Sequence, residues 1–510
     1  MPEPPPQGGF RRRAGVRGTP ALSKLPGDRH VLCTCHAADV STLERVTSAP
    51  QHAPEPLQSP VAPAEAEPSD AWQARIARIA ALRGPFLRAA QTPRGLMTGF
   101  AVVHAMFFLA LLPTMIAGQT QGDLPLYRLW AEQAKLGYWP VIDMPWVYPA
   151  GALAPIMGAI AAGAYNYQLG WFVLMIVANL LAVLALTGNL RRRSGYRAAW
   201  YWLAIVVLLA PVSMLRLEGF SAPLAIAGLV VLLRRPAVAG ALIAAATWIK
   251  VWPAAIAAAA VTVASTRLRI ILGGVAVTAV VAATVVLYGG GSNLLSFATI
   301  QGDRSLQLEA PVATPWVWAT VLGIPGSQIQ QNYVLATREV AGPGAHLAGE
   351  IVGWLMPISF VVIVLLLWRA RRLAVSQNRL SPQLEQKLVL SGSFALTAAL
   401  IVFNKVGSPQ YMMWLAPIVA VGLAVAPAAW KRPAQWMAAT CFLTTLVFPI
   451  LYMPLIDGHP FAAFVLLARN AMVVGLFVWA VVALWRAGSA TVRERESVLV
   501  TAPGLAVAHS

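Results

Sequence analysis

The chain has 510 residues, 58% of them hydrophobic and 11% charged, with a formal net charge of +18 and a mean hydropathy of +0.65. That balance leaves too little polar surface to solvate several soluble domains and points to an all-α polytopic membrane protein. Three cysteines, Cys33, Cys35 and Cys441, exclude a disulfide framework, and Cys33-Thr34-Cys35-His36 lacks a second ligand pair at zinc spacing, so no metal is expected.

Residues 1–70 are rich in Pro, Ala, Ser and Arg and nearly free of aromatics, a composition too poor in apolar surface to offset ordering, and they are predicted to be a disordered cytoplasmic tail. In 71–95, Trp72, Ile76, Ile79, Leu82 and Leu87 fall near one helical face and arginines on another, the pattern of a juxtamembrane helix lying on an anionic leaflet. A solvated linker is the alternative.

The membrane domain is expected over 96–485, followed by a second cytoplasmic tail at 486–510. Apolar stretches of spanning length lie at 96–118, 168–190, 198–215, 217–233, 270–288, 347–368, 388–404, 411–430, 436–456 and 460–485. The run at 237–264 carries Lys250 and Pro253 in its middle and reads as one kinked span or two short ones. Two crossings keep Arg191 to Arg197, Arg234, Arg235, Arg267, Arg269, residues 369–387, Lys431 and Arg432 on the side of the basic N-terminus, as the positive-inside rule prefers. The expectation is therefore about twelve helices in the plasma (inner) membrane with both termini cytoplasmic. Gly151 to Ala164, short and carrying Pro155, is expected in the outer interface or as a re-entrant segment. On this topology the net charge is explained by cytoplasmic loops, and no nucleic-acid partner is needed.

Two long loops remain outside, at 119–167 and 289–346, far longer than ordinary connections. The first opens with Gln121-Gly122-Asp123-Leu124-Pro125-Leu126-Tyr127. A carboxylate at this boundary is placed to take a proton from a lipid-borne or sugar hydroxyl; as Asp before Leu-Pro it is equally well placed to cap a helix. Tyr138, Trp139, Trp146 and Tyr148 read as an aromatic interface belt. The second loop contains Arg304-Ser305-Leu306-Gln307-Leu308-Glu309, in which Arg304 offers a planar fork suited to phosphate, with a salt bridge to Asp303 or Glu309 as the other reading. Lys250, Lys405 and Arg469 lie at depths where an ionisable group is costly, although snorkelling accounts for Lys405 equally well. His104 reads as a helix-packing residue, and His346 and His459 as outer groups able to move protons.

Taken in order, Gly122-Asp123-Leu124 with Tyr127, Tyr148-Pro149, Arg216-Leu217-Glu218, Lys250-Val251-Trp252-Pro253, Arg304 to Glu309, and Asn404-Lys405-Val406-Gly407-Ser408-Pro409-Gln410-Tyr411 resemble glycosyltransferase family 87, the polyprenyl-phosphate-mannose-dependent membrane mannosyltransferases of GT-C architecture. The likeness covers roughly residues 96–485. Departures are Ala150 after Tyr148-Pro149, Glu218 in place of a more usual Asp, and Ser305 and Ala310 where Gly and Ser are common.

The resemblance implies inverting transfer of a mannosyl residue from a polyprenyl-phosphate donor to a hydroxyl of a lipid-linked or cell-envelope acceptor on the extracytoplasmic side, with no cofactor besides the lipid donor as substrate. Asp123 matches the family's catalytic carboxylate and would be the general base. The departing phosphate needs fixed cations, for which Arg304 and Lys405 are the first candidates and Arg216 and Lys250 their supports. Gln307, Glu309, Gln410, Tyr411 and Tyr127 complete the predicted substrate-binding set. A transporter or flippase of lipid-linked saccharide, or a polymer ligase, is the competing expectation.

Overall fold

The computed structural model describes residues 88–300, 304–333 and 337–501, with side chains to residue 487. The predicted tail at 1–70, most of the amphipathic segment at 71–95, Asp303 and residues beyond 501 lie outside these. In chain order the main elements are α1 (Pro93–Ile116), α2 (Leu124–Lys135), α3 (Leu153–Ile160), α4 (Tyr167–Thr187), α5 (Tyr196–Leu208), α6 (Glu218–Val231), α7 (Pro236–Ile249), α8 (Ala254–Val263), α9 (Arg267–Leu287) and α10 (Thr314–Val321). A hairpin follows, β1 (Gln328–Asn332) and β2 (Thr337–Ala341), and then α11 (Ala345–Ser376), α12 (Pro382–Val402), α13 (Met412–Val425), α14 (Pro427–Thr445) and α15 (Pro460–Thr501).

Every predicted apolar stretch carries a helix, but the helices differ in reach. Among the described residues, seven are long and apolar enough to cross a membrane: α1, α4, α9, α11, α12, α14 with its continuation to Ile450, and α15 over Pro460–Ala487. The others, α5 to α8 and α13, have 10 to 14 residues, fewer than the roughly 20 of a full crossing. Proline accounts for two of the interruptions. The ambiguous run at 237–264 is two helices, because Pro253 has no N–H and its ring clashes with the carbonyl of Ile249; α7 stops there and Lys250 takes an extended backbone. Likewise α5 ends just before Ala210-Pro211.

The bundle has a graded interior. The apolar core of α12 is 78% buried and that of α9 only 11%, so α12 lies at the centre and α9 presents most of its surface outward. α9 is held to α7 through glycines: a Cβ on Gly240 would stand 1.9 Å from the Ile270 carbonyl, and one on Gly273 1.9 Å from that of Ala237. Such close backbone approach lets apolar helices associate without a polar seam.

The first long loop is largely helical, through α2 and α3. The second contributes α10 and the hairpin, the one described departure from an all-α fold. Leu306 to Leu308 lies along this hairpin like a third strand: Val340 N–H donates to the Leu306 carbonyl at 2.9 Å and Leu308 N–H to that of Arg338 at 3.0 Å. Leu306, Leu308, Val340 and Val317 form a second apolar core with Val447 and Leu455, in the stretch between α14 and α15, and with Leu466 of α15. The backbone of α15 does not stop near residue 485 but continues to Thr501.

Candidate functional site

α4 assembles the first part of the site. Gln168 and Trp171 sit nearly one turn apart on it, both sealed from solvent. Gln168 accepts from Gln121 N–H at 2.8 Å and donates to Thr114 at 2.7 Å, while the Trp171 indole donates to the Met214 carbonyl at 2.9 Å. One helix thus clamps the entrance of the first long loop and the turn between α5 and α6. Gly122 completes the approach, with φ of +64° and its missing Cβ only 3.2 Å from Leu215; a side chain there would meet both strain and contact.

The result is an ion pair between Asp123 and Arg216, 93 residues apart. Asp123 is the N-cap residue of α2 by position, yet its side chain makes no capping bond. Instead its Oδ2 takes the Arg216 guanidinium and lies 3.3 Å from the Tyr127 hydroxyl, which donates to it. The side-chain helix cap that the sequence also allowed for Asp123 is not formed. Tyr127 is fully buried, and burial pushes its phenol well above the ordinary range, with nearby Tyr148, Asp123 and Glu218 adding to the effect.

A second ion pair abuts the first. Glu218, fully buried, lies 3.3 Å from Lys250 Nζ, and that ammonium sits 4.2 Å above the centre of the Tyr148 ring. Tyr148 belongs to a packed cluster with Tyr127, Trp130 and Trp146, all centroids within 5.3 to 6.1 Å. Trp146 and Tyr148 therefore pack inward, whereas Tyr138 is exposed; edge-to-face stacking and the cation over Tyr148 use the aromatics that the sequence suggested for an interface belt.

The second long loop and the turn after α12 close on each other. Gln307 N–H donates to the Lys405 carbonyl at 2.9 Å. A Cβ on Gly407 would stand 2.0 Å from Ala310 N, so only glycine allows this approach. Ser408 donates to Gln410. Tyr411 stacks on Trp414 at 3.9 Å between ring centres, and Trp414 lies parallel to Trp252 of the Lys250 motif. Tyr411 is within electrostatic reach of Glu218, Arg304, Tyr148 and Glu309, which joins this turn to both of the preceding groups.

Arg469 and Glu309 anchor that loop. Arg469 donates from Nη1 to the Glu309 carbonyl at 3.0 Å and to Asn470 at 2.7 Å, and its Nη2 lies 3.6 Å from the Glu309 carboxylate. Asn470 donates to Thr314 at 2.9 Å. Burial pushes the Glu309 carboxyl up to about 7, opposed by the charges of Arg469 and Arg216. The salt bridge offered as the alternative for Arg304 does not form with Glu309. Arg304 instead is partly buried, and its Nε has no hydrogen-bond partner among the described residues.

All of the predicted site residues thus occur in two abutting clusters: Asp123, Tyr127, Arg216 and Lys250 in one, and Arg304, Gln307, Glu309, Lys405, Gln410 and Tyr411 in the other. The two histidines expected outside are elsewhere: His346 is exposed beside Glu350 on α11, and the His459 ring accepts from Phe461 N–H. His104 is buried against Phe100, as expected of a packing residue. Residue-by-residue reading missed Gln168 and Trp171 as positioning groups, and the partnership of Glu218 with Lys250. Only the second left a signal, an acid within the Arg216-Leu217-Glu218 turn. No protein-family model, no curated protein and no solved structure matches the chain.

Proposed function

We propose that the chain is an integral-membrane glycosyltransferase that moves a single sugar, mannose by resemblance, from a polyprenyl-phosphate donor to a hydroxyl of a lipid-linked or envelope acceptor. The observation that carries this reading is the convergence of Asp123, of Arg216 with Glu218, and of Lys250 from three separate stretches of chain. The twelve-span topology with extracytoplasmic outer loops and cytoplasmic termini belongs to the same proposal.

In the reaction the acceptor oxygen attacks C1 of the sugar from the face opposite the phosphate. The C1–O bond to the phosphate breaks, polyprenyl phosphate departs with the electron pair, and the acceptor proton passes to Asp123. In the resting site Asp123 is held by Arg216 and Tyr127. A donor phosphate offers the Arg216 guanidinium a second bidentate anionic partner, and on this reading its arrival draws Arg216 from Asp123 and frees a carboxylate lone pair. Arg304 and Lys250 supply further positive charge to the leaving phosphate, with Lys405 as a fourth cation.

Incubating the purified protein with labelled polyprenyl-phosphate mannose and a lipid extract tests the reading. Transfer of one sugar to a new lipid, with inversion at C1, is expected. Movement of intact lipid-linked saccharide across vesicles without transfer would replace it with the flippase reading, and transfer of a preassembled glycan with the ligase reading. Reporters fused after Ser292 and His459 should read extracytoplasmic, and those after Arg193 and Gln383 cytoplasmic.

A further inference from the structure

At the far end of α11 from the outer hairpin, a groove of about 590 Å³ is lined by Leu365, Trp368, Arg369, Arg372, Leu373 and Ser376. The Arg372 guanidinium stacks on Trp368 at 4.5 Å, and that of Arg369 on Trp485 of α15 at 4.9 Å. A guanidinium held over an aromatic ring is attracted by its π face and still carries N–H donors able to meet an anion. Neither arginine makes an ion pair among the described residues, and the sequence holds no acid between Glu350 and Glu385.

The groove continues into an apolar track. Trp354, Ile358, Val361, Leu365 and Trp368 are all 48 to 74% exposed, and with Arg372 they recur at alternating intervals of four and three residues, which is one stripe along a helix. At 1.5 Å per residue, Val361 to Arg372 spans about 16 Å, roughly one leaflet of hydrocarbon. Opposite this stripe, Ile363, Leu367, Ala370 and Ala374 are buried in the bundle, so the stripe itself faces outward.

We infer that this groove is a binding site for an anionic glycerophospholipid, with its phosphate on Arg369 and Arg372, its glycerol region between Trp368 and Trp485, and an acyl chain along Leu365, Val361 and Ile358. Charge complementarity selects the occupant: two unpaired guanidiniums at the basic end of a spanning helix favour a lipid of net negative charge over a zwitterionic one. Interfacial tryptophans at the same level suit the headgroup boundary. The site is independent of the proposed sugar transfer, since α11 carries it some tens of ångströms from the hairpin end.

The test uses the delipidated full-length protein in neutral detergent, with lipid binding read by native mass spectrometry and unfolding temperature read in parallel. Phosphatidylglycerol should bind and raise the unfolding temperature, and phosphatidylcholine should do neither at the same concentration. Arg369→Gln with Arg372→Gln should weaken phosphatidylglycerol binding about thirtyfold, the loss expected for two basic side chains at an anionic surface, with the lipid-free unfolding temperature unchanged. Arg192→Gln with Arg193→Gln, an equal loss of charge in a different basic turn, should bind as the parent does; should the first pair fail to fold, Arg372→Gln alone should show a loss of about fivefold. Equal binding of phosphatidylcholine, unaltered binding in the groove variants, an equal loss in the Arg192/Arg193 pair, or preference for polyprenyl phosphate or inorganic phosphate would each overturn the assignment.

Discussion

Glu309 and Arg469, 160 residues apart, meet in a site nearly closed to solvent, with the guanidinium bonded to the Glu309 carbonyl and lying beside its carboxylate. The pair joins the second long loop to α15, and its charges make the joint sensitive to pH. Burial raises the Glu309 carboxyl from 4.5 to about 7, so the folded protein holds this proton more tightly than the unfolded chain does. That contribution to stability is fully present below about pH 4.5 and is lost as pH rises through about 7. Replacing Arg469 with Met removes the opposing cation and strands a buried carboxylate, a change that typically costs 3–5 kcal/mol. The loss in unfolding temperature should be larger at about pH 8.5 than at about pH 5.5, and Glu309→Gln in the same background should remove the difference. A loss independent of pH would assign Arg469 a packing role alone.

Asp123→Asn retains the size of the side chain and an acceptor oxygen for Arg216 but cannot take up the acceptor's proton. On the proposed mechanism, transfer should fall by roughly 10² to 10⁴-fold, with expression and donor binding retained. Asp143 is the control: it accepts from Trp139 N–H in a tight turn, a bond that Asn also makes, and Asp143→Asn should stay near the parent rate. A folded Asp123→Asn protein working at more than about a tenth of the parent rate would sink the general-base role.

Arg304→Lys exchanges a planar fork for a point charge. If Arg304 holds the donor phosphate, KM for the donor should rise at least about tenfold, the order of one charge-assisted bond. Arg338, nearby on β2, meets the loop through its backbone carbonyl, which lysine preserves, so Arg338→Lys should be mild. Indistinguishable donor kinetics in the two variants would leave Arg304 a surface group.

Gly407→Ala should be severe, because the new Cβ would stand 2.0 Å from Ala310 N and 2.3 Å from the Glu309 carbonyl carbon, backbone atoms that cannot swing aside. The expected outcome is separation of the Lys405 turn from Gln307, seen as faster hydrogen exchange at Gln307 N–H and loss of transfer. Gly349→Ala on α11, where a Cβ meets nothing within 4 Å, should be neutral or stabilising by up to about 1 kcal/mol. Equal tolerance at both positions would remove the close approach as a constraint.

The helices were legible from hydropathy because apolar runs are a local property. Their lengths were less so: whether 237–264 bends or breaks depends on how Pro253 is accommodated, and α15 continues past its apolar segment on helix-forming residues that hydropathy does not register. The hairpin was hidden because QIQQN and TREVA alternate too weakly to suggest strands that pair with each other, and β2 in turn with Leu306 to Leu308. At the candidate site, charged residues at unusual depth could be singled out one by one. Their pairings could not, since Asp123 with Arg216 and Glu309 with Arg469 depend on contacts that no local pattern encodes. Arg469 had been conspicuous in the sequence without a partner, and Gln168 and Trp171 had not been conspicuous at all.

The Glu218–Lys250 pair has a polarity that distance alone does not convey. Glu218 is the first residue of α6 and Lys250 follows the last residue of α7, so the acid sits at the positive end of one macrodipole and the base at the negative end of the other, each arrangement favourable by about 0.3–1 kcal/mol and more when partly buried. Exchanging the two charges, Glu218→Lys with Lys250→Glu, would preserve their mutual attraction yet set both against the helix ends that carry them, a penalty on the order of 2 kcal/mol. The double exchange should therefore unfold at a lower temperature than the parent. An ordinary salt bridge tolerates reversal; this one has a direction built into the two helices.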